Sequence, residues 1–159
     1  MVKVENTLYT IGYEGISIDK YIEKLSNFNI KIVIDVRKNA FSYKKGFTKE
    51  ELKETLLKNN ILYYHIPELG IDSEKRKGIK LTIEPTITLF GEEKSDLQKI
   101  FDEYKILLPK KEKYINILLN IINKYNNVAL TCFEKDYKCC HRSIIADYIK
   151  NKVDKVIHL

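Results

Sequence analysis

No apolar run in this 159-residue chain approaches the roughly 20 residues that a helix needs to cross a bilayer. The first residues, Met1-Val2-Lys3-Val4-Glu5-Asn6, lack the apolar core of a secretory signal and carry an acid. Both absences point to a cytoplasmic protein with no membrane partner. Cysteine is scarce. There are three, an odd number, and two are adjacent at 139 and 140, which argues against a disulfide framework and makes reduced thiols the default. No internal repeat and no low-complexity stretch is present.

What is present is a composition for one domain spanning residues 1–159, with 44% hydrophobic and 31% charged residues. The net charge of +6 attracts polyanions, nucleic acid above all. Lysines supply most of it, scattered through helical stretches as solvated faces, so charge alone does not name a partner.

The hydrophobic pattern alternates strands with helices. Thr7–Ile11 reads as a first strand ended by Gly12, and Gly12 and Gly15 bracket a tight turn. Ser17 caps a helix over about 18–28, with Ile18, Tyr21, Ile22, Leu25 and Phe28 on one face. Residues 31–36 form a run without alternation, as in a strand buried on both faces. Arg37 to Phe47 is a basic loop interleaved with Phe41 and Tyr43. Thr48-Lys49-Glu50-Glu51 fits a capping box for a helix to about Asn59. A third strand covers 61–66. Between Glu68 and Gly91 the pattern dissolves into a long irregular segment containing Lys75-Arg76-Lys77, a length more often functional than neutral. Helices over about 92–107 and 111–125, a fourth strand over 128–132, a helix over about 141–151 and a fifth strand over 155–159 complete the chain.

This order predicts an α/β fold of three layers: a mostly parallel five-stranded sheet with helices on both faces. The simplest strand order is 3-2-1-4-5, and ligands in such sheets sit beyond the carboxyl ends of the strands at the switch point. That edge collects Gly12 and Tyr13, Asp35 and Arg37, Glu68, and Cys132 and Glu134.

With those residues in view, the chain resembles the uncharacterised family known as domain of unknown function 488. The matching segments are Ile11-Gly12-Tyr13-Glu14-Gly15, Asp35-Val36-Arg37, Pro67-Glu68-Leu69-Gly70, Cys132-Phe133-Glu134-Lys135-Asp136 and Cys140-His141-Arg142, in family order. The resemblance implies a compact α/β domain and no settled activity. It also implies a proline at the position of Ala40 and a further basic residue near Tyr43, for which Lys44 or Lys45 is the nearest substitute here.

The chemistry of the constellation leaves paired readings open. Cys132 is a core thiol or a nucleophile activated by Arg37, Arg142 or His141. The cysteine-phosphatase loop requires Arg six positions after the Cys, where Lys138 stands, so that class and the rhodanese class are disfavoured. Cys140, His141 and Arg142 open a helix whose free N–H groups and guanidinium suit an anion; alternatively Arg142 pairs with Glu134 or Asp35. Asp35 and Glu134 either divide acid and base roles or pair with the two arginines. Cys132, Cys139, Cys140 and His141 match no zinc spacing, and adjacent ligands strain a tetrahedral site, so no metal and no cofactor is expected.

The leading expectation is a hydrolase or transferase acting on a phosphate-bearing small molecule or nucleic acid by metal-free acid–base or nucleophilic chemistry. Asp35, Glu134 and Cys132 would be catalytic. Gly12, Tyr13, Arg37, Glu68, Cys140, His141 and Arg142 would bind the anion or substrate. The alternatives are a non-catalytic nucleic-acid-binding module and a thiol or metal sensor.

Overall fold

The computed structural model describes residues 3–159. Met1 and Val2, part of the N-terminal reading, lie outside the described residues. The elements run β1 (Thr7–Gly12), α1 (Ile18–Asn27), β2 (Ile32–Asp35), α2 (Lys49–Lys58), β3 (Leu62–His65), β4 (Thr86–Thr88), β5 (Gly91–Glu93), α3 (Asp96–Leu107), α4 (Glu112–Tyr125), β6 (Asn127–Cys132), α5 (His141–Ile149) and β7 (Lys155–His158).

Local signals account for the helix boundaries. Ser17 Oγ accepts from the Lys20 N–H and starts α1, which buries Tyr21, Ile22 and Leu25. The capping box at α2 forms, with Thr48 and Glu51 satisfying each other's backbone N–H groups. One boundary differs from expectation. α3 begins at Asp96, capped by Ser95, rather than near 92. The residues before it pair in the β4–β5 hairpin, Thr86↔Glu93 to Thr88↔Gly91, with Gly91 at φ +115 where the chain leaves the turn and enters β5. The 68–91 segment therefore is not structureless: it also carries 3₁₀ turns at Pro67–Leu69 and Ser73–Arg76.

The α/β class and the five-stranded parallel sheet with surrounding helices are as expected. The strand order is not. It runs β3-β2-β6-β1-β7, so the fourth main strand lies between the first and second instead of outside the first. Val128 is in register with Leu8 on one side and Ile32 on the other. β1 and β6 are runs of equal length, both buried along nearly their whole length. Apolar patterning cannot rank two such strands, and adjacency of consecutive strands is only a tendency.

The insertion sets the layers. Tyr9, Ile11, Val33 and Ala129 face α1 and α2, packing on Tyr21, Leu25, Leu52 and Leu56. Leu8, Ile34, Val128, Leu130 and Cys132 face α3, α4 and α5, packing with Phe101, Leu118, Ile122 and Ile145. Side chains alternate along β6, so Cys132 projects toward α5 while Thr131 turns the other way to accept from Tyr21 Oη at 2.7 Å.

At the β7 edge, His158 Nδ1 lies 2.7 Å from Thr10 Oγ1, and the ring stacks on Tyr137 at 3.9 Å. Partial burial, and then the Arg142 charge, lowers its pKa. The unfolded chain therefore binds the proton more readily, so stability is full above the ordinary histidine value of about 6.5 and falls as the solution is acidified below it. A urea titration series from pH 8 to 5 is expected to show this decline, flattened in His158→Gln. An equal decline in the variant would remove His158 as its source.

Candidate functional site

Three loops interlock at the carboxyl edge of the sheet. After β1, the Tyr13 and Glu14 N–H groups donate to the Cys132 and Phe133 carbonyls at 3.3 and 2.8 Å. The Lys135 N–H returns a bond to Glu14 Oε2 at 2.8 Å. Gly12 permits this approach, since a Cβ there would fall 1.9 Å from the Glu134 carbonyl oxygen. Gly70 does the same for another pair of segments: its Cβ would meet Lys38 N at 2.2 Å.

Asp35 and Arg37 form one closed unit after β2. Asp35 is fully buried and accepts from Arg37 Nη2 at 2.6 Å, Arg37 Nε at 2.9 Å, the Arg37 N–H at 3.1 Å and Tyr63 Oη at 2.6 Å. Arg37 Nη1 donates to Tyr13 Oη at 2.9 Å and to the Phe47 carbonyl at 2.7 Å. Tyr13 stacks on Phe47 with centroids 4.3 Å apart. Burial opposes the Arg37 charge, but the hydrogen bonds and charge of Asp35 raise its pKa further. The structure places Asp35, expected as an acid–base group, inside this closed unit. Its oxygens are occupied and sealed from solvent, and it acts as the counter-ion that holds Arg37.

Arg142 also departs from expectation. It is fully buried, and its partners are backbone carbonyls rather than a carboxylate or an open space: Glu134 at 2.6 Å and Lys135 at 3.3 Å. It pins the 133–135 loop from one side while Gly12 accommodates it from the other. Its Nε has no partner among the described residues. The carboxylate of Glu134 points elsewhere, bonding Arg76 Nη1 through Oε1. Burial would raise the Glu134 carboxyl, yet Arg76, its own backbone N–H and the Cys132 and Cys140 thiols hold it below the usual carboxylate range.

Cys132, Cys140 and His141 cluster at the junction of β6 and α5. The Cys132 thiol donates to Glu134 Oε2 at 3.3 Å, and its sulfur lies 3.9 Å from His141 Nδ1. Cys140 Sγ lies 3.9 Å from the same nitrogen. His141 Nε2 is 2.7 Å from the Val36 carbonyl, which can only accept, so Nε2 carries a proton and Nδ1 is the nitrogen that faces both sulfurs. Burial, reinforced by Cys132, drives the Cys140 thiol well above its ordinary pKa. Cys139 stands apart, half-buried and turned toward Asp136.

A cleft of about 780 Å³ opens over this edge, with Cys132 on its floor. Lys38, Lys44, Arg37 and Arg76 contribute to its walls, and Phe41 and Tyr43 stand at 61% and 97% exposure among its lining residues. Arg76 and Glu134 also border a smaller recess of about 380 Å³. Cys140, His141 and Arg142, expected to bind an anion at the start of α5, are all buried there. Glu68 does not line the cleft; its carbonyl accepts from Lys111 Nζ.

Residues 17–149 match the family model described as Domain of unknown function DUF488. The chain belongs to that family. No curated protein and no solved structure matches. Four of the five family-like segments meet at the carboxyl edge, where the sequence order had scattered them. In the fifth, Gly70 rests on Lys38.

The side chain that sequence reasoning undervalued is Arg76, seen then only as part of a basic run. A signal was available. The chain has only three arginines among its 28 basic residues, and all three, Arg37, Arg76 and Arg142, converge at this edge. Arginine outperforms lysine where a planar fork must be held in partly dry surroundings.

Proposed function

We propose that the chain is an enzyme, a hydrolase or transferase, acting on a phosphate-bearing substrate, with a nucleotide or nucleic acid favoured. The observation that carries this reading is the cleft itself: an open space with basic walls, exposed aromatics at its margin and a thiol on its floor. Lys38, Lys44 and Arg76 supply charge for phosphate, and Arg76 adds a guanidinium fork. Tyr43 and Phe41 offer faces on which bases stack. Cys132 and Glu134 form the reacting end, with Glu134 rather than Asp35 as the carboxylate placed to move a proton.

Binding of a labelled nucleotide or short single-stranded oligonucleotide is expected to weaken steeply with added salt. Lys44→Ala and Arg76→Ala should each lower affinity about tenfold or more, the worth of one charged hydrogen bond. Cys132→Ser should retain binding and abolish turnover. Unchanged affinity in both basic variants would remove the cleft as the binding site.

The rival reading, a nucleic-acid-binding module without catalysis, draws its support from Tyr43, almost fully exposed beside Lys44. It requires that Cys132→Ser leave every measurable function intact.

A further inference from the structure

We propose that Cys132, Cys140 and His141 are the protein ligands of a bound divalent metal ion of zinc-like preference. The three ligand atoms, Sγ, Sγ and Nδ1, lie within 4.8 Å of one another, and each sulfur is 3.9 Å from the imidazole nitrogen. Bond lengths of about 2.3 Å to sulfur and about 2.0 Å to nitrogen at a tetrahedral centre place sulfur and nitrogen roughly 3.5 Å apart and the two sulfurs roughly 3.8 Å apart. Adjustments of a few tenths of an ångström bring each sulfur to that distance from the nitrogen, and the two sulfurs begin no more than 4.8 Å apart.

The spacing objection raised by adjacent ligands disappears in three dimensions. Cys140 is the N-cap of α5, with extended backbone at φ −131 and ψ 140, while His141 is the first helical residue. The chain bends between them, and both side chains converge on one point. His141 is already oriented for ligation: its Nε2–H donates to the Val36 carbonyl and turns Nδ1 toward the sulfurs. A backbone or carboxylate acceptor on the far nitrogen is the usual support of a metal-bound imidazole.

The donor set selects the ion. Two thiolates and an imidazole favour zinc over magnesium or calcium, which take oxygen donors. Binding releases one proton from each thiol to solvent, and a dication with two thiolates and a neutral imidazole carries no net charge. That neutrality suits a site where all three residues are buried. Glu134 Oε2, 3.3 Å from Cys132 Sγ, is best placed to approach the fourth position, and the negative charge it would add is offset by Arg76, which holds the other oxygen. Cys132 reaches the cleft floor, so the ion would border the proposed substrate space. A bound metal would occupy the Cys132 sulfur and take the place of the free-thiol role given to it above, leaving the basic cleft as the substrate-binding surface; metal loading itself is measured without substrate.

The test is metal content of the full chain purified without chelator, measured by mass spectrometry, followed by cobalt(II) titration of the stripped protein. About one zinc per chain is expected, together with tetrahedral cobalt bands and thiolate-to-metal charge transfer. Cys132→Ser and Cys140→Ser should each lower zinc content at least tenfold, whereas Cys139→Ser should bind as the wild type does. Circular dichroism identifies a serine variant that has lost its fold, and the cobalt titration of the wild-type chain decides the matter without any variant. Zinc content near zero, with a cobalt spectrum lacking thiolate charge transfer, overturns the proposal. Oligonucleotide binding that depends on Lys44 can survive this result, so the two failures are distinguishable.

Discussion

Gly12→Ala is expected to destabilise the protein by about 3 kcal/mol or more, because overpacking and broken buried hydrogen bonds act together. The added Cβ would lie 1.9 Å from the Glu134 carbonyl oxygen, 2.6 Å from its carbon and 3.1 Å from Lys135 N. All are backbone atoms, so no side-chain rotation relieves the clash. β1 cannot retreat, because β6 and β7 flank it within the sheet. The 133–135 loop must move instead. Its movement breaks the Arg142 bonds to the Glu134 and Lys135 carbonyls and the Lys135 bond to Glu14. Arg142 is fully buried, and stranding its guanidinium adds the cost of an uncompensated charge. Gly15→Ala provides the contrast: φ is +77 but nothing lies within 4 Å of its Cβ, so only backbone strain of about 1 kcal/mol is expected. Urea unfolding of the two variants measures the difference. Equal midpoints would show that the β1 and β6 loops are not pinned at Gly12.

Asp35→Asn is expected to lower stability by roughly 3–5 kcal/mol, the range for removing one partner of a buried ion pair. The substitution preserves shape but deprives Arg37, only 6% exposed, of its counter-charge. Arg37 also holds Tyr13 and the Phe47 carbonyl, so the loop over 37–47 should loosen with it. The double variant Asp35→Asn/Arg37→Met removes the stranded cation and should recover part of the loss. A measured change below about 1 kcal/mol for Asp35→Asn would show that the pair is not a structural clamp, against expectation for buried pairs. Loss of activity in Asp35→Asn therefore reads as loss of fold before it reads as loss of an acid or base.

Legibility varied by element. The strand–helix alternation, the Ser17 cap and the Thr48 capping box were readable because each is a local pattern acting over a few residues. The chemistry-bearing positions at the strand ends were readable because polar residues at the close of apolar runs are conspicuous. Their partners were not. Glu134 and Arg142 are eight positions apart and of opposite charge, yet the carboxylate goes to Arg76 and the guanidinium to backbone carbonyls. Charge and spacing name candidates for a pair; the path of the loop between them decides which atoms meet.

The residues alone settle the α/β class, the alternation of the five main strands with helices and the edge of the sheet where the chemistry-bearing side chains gather, because periodicity and connection rules operate on sequence neighbours. Three-dimensional packing assigns the rest. It slots β6 between β1 and β2, since two equally buried strands cannot be ranked by hydrophobicity. That slot brings Cys132 beside Asp35 and Arg37 and carries α5 under the β2 loop, so that His141 meets the Val36 carbonyl and both thiols. It also gives Asp35, Arg37 and Arg142 internal partners that the sequence did not name, because burial and hydrogen bonding are properties of an enclosed volume, and no stretch of chain encodes them locally.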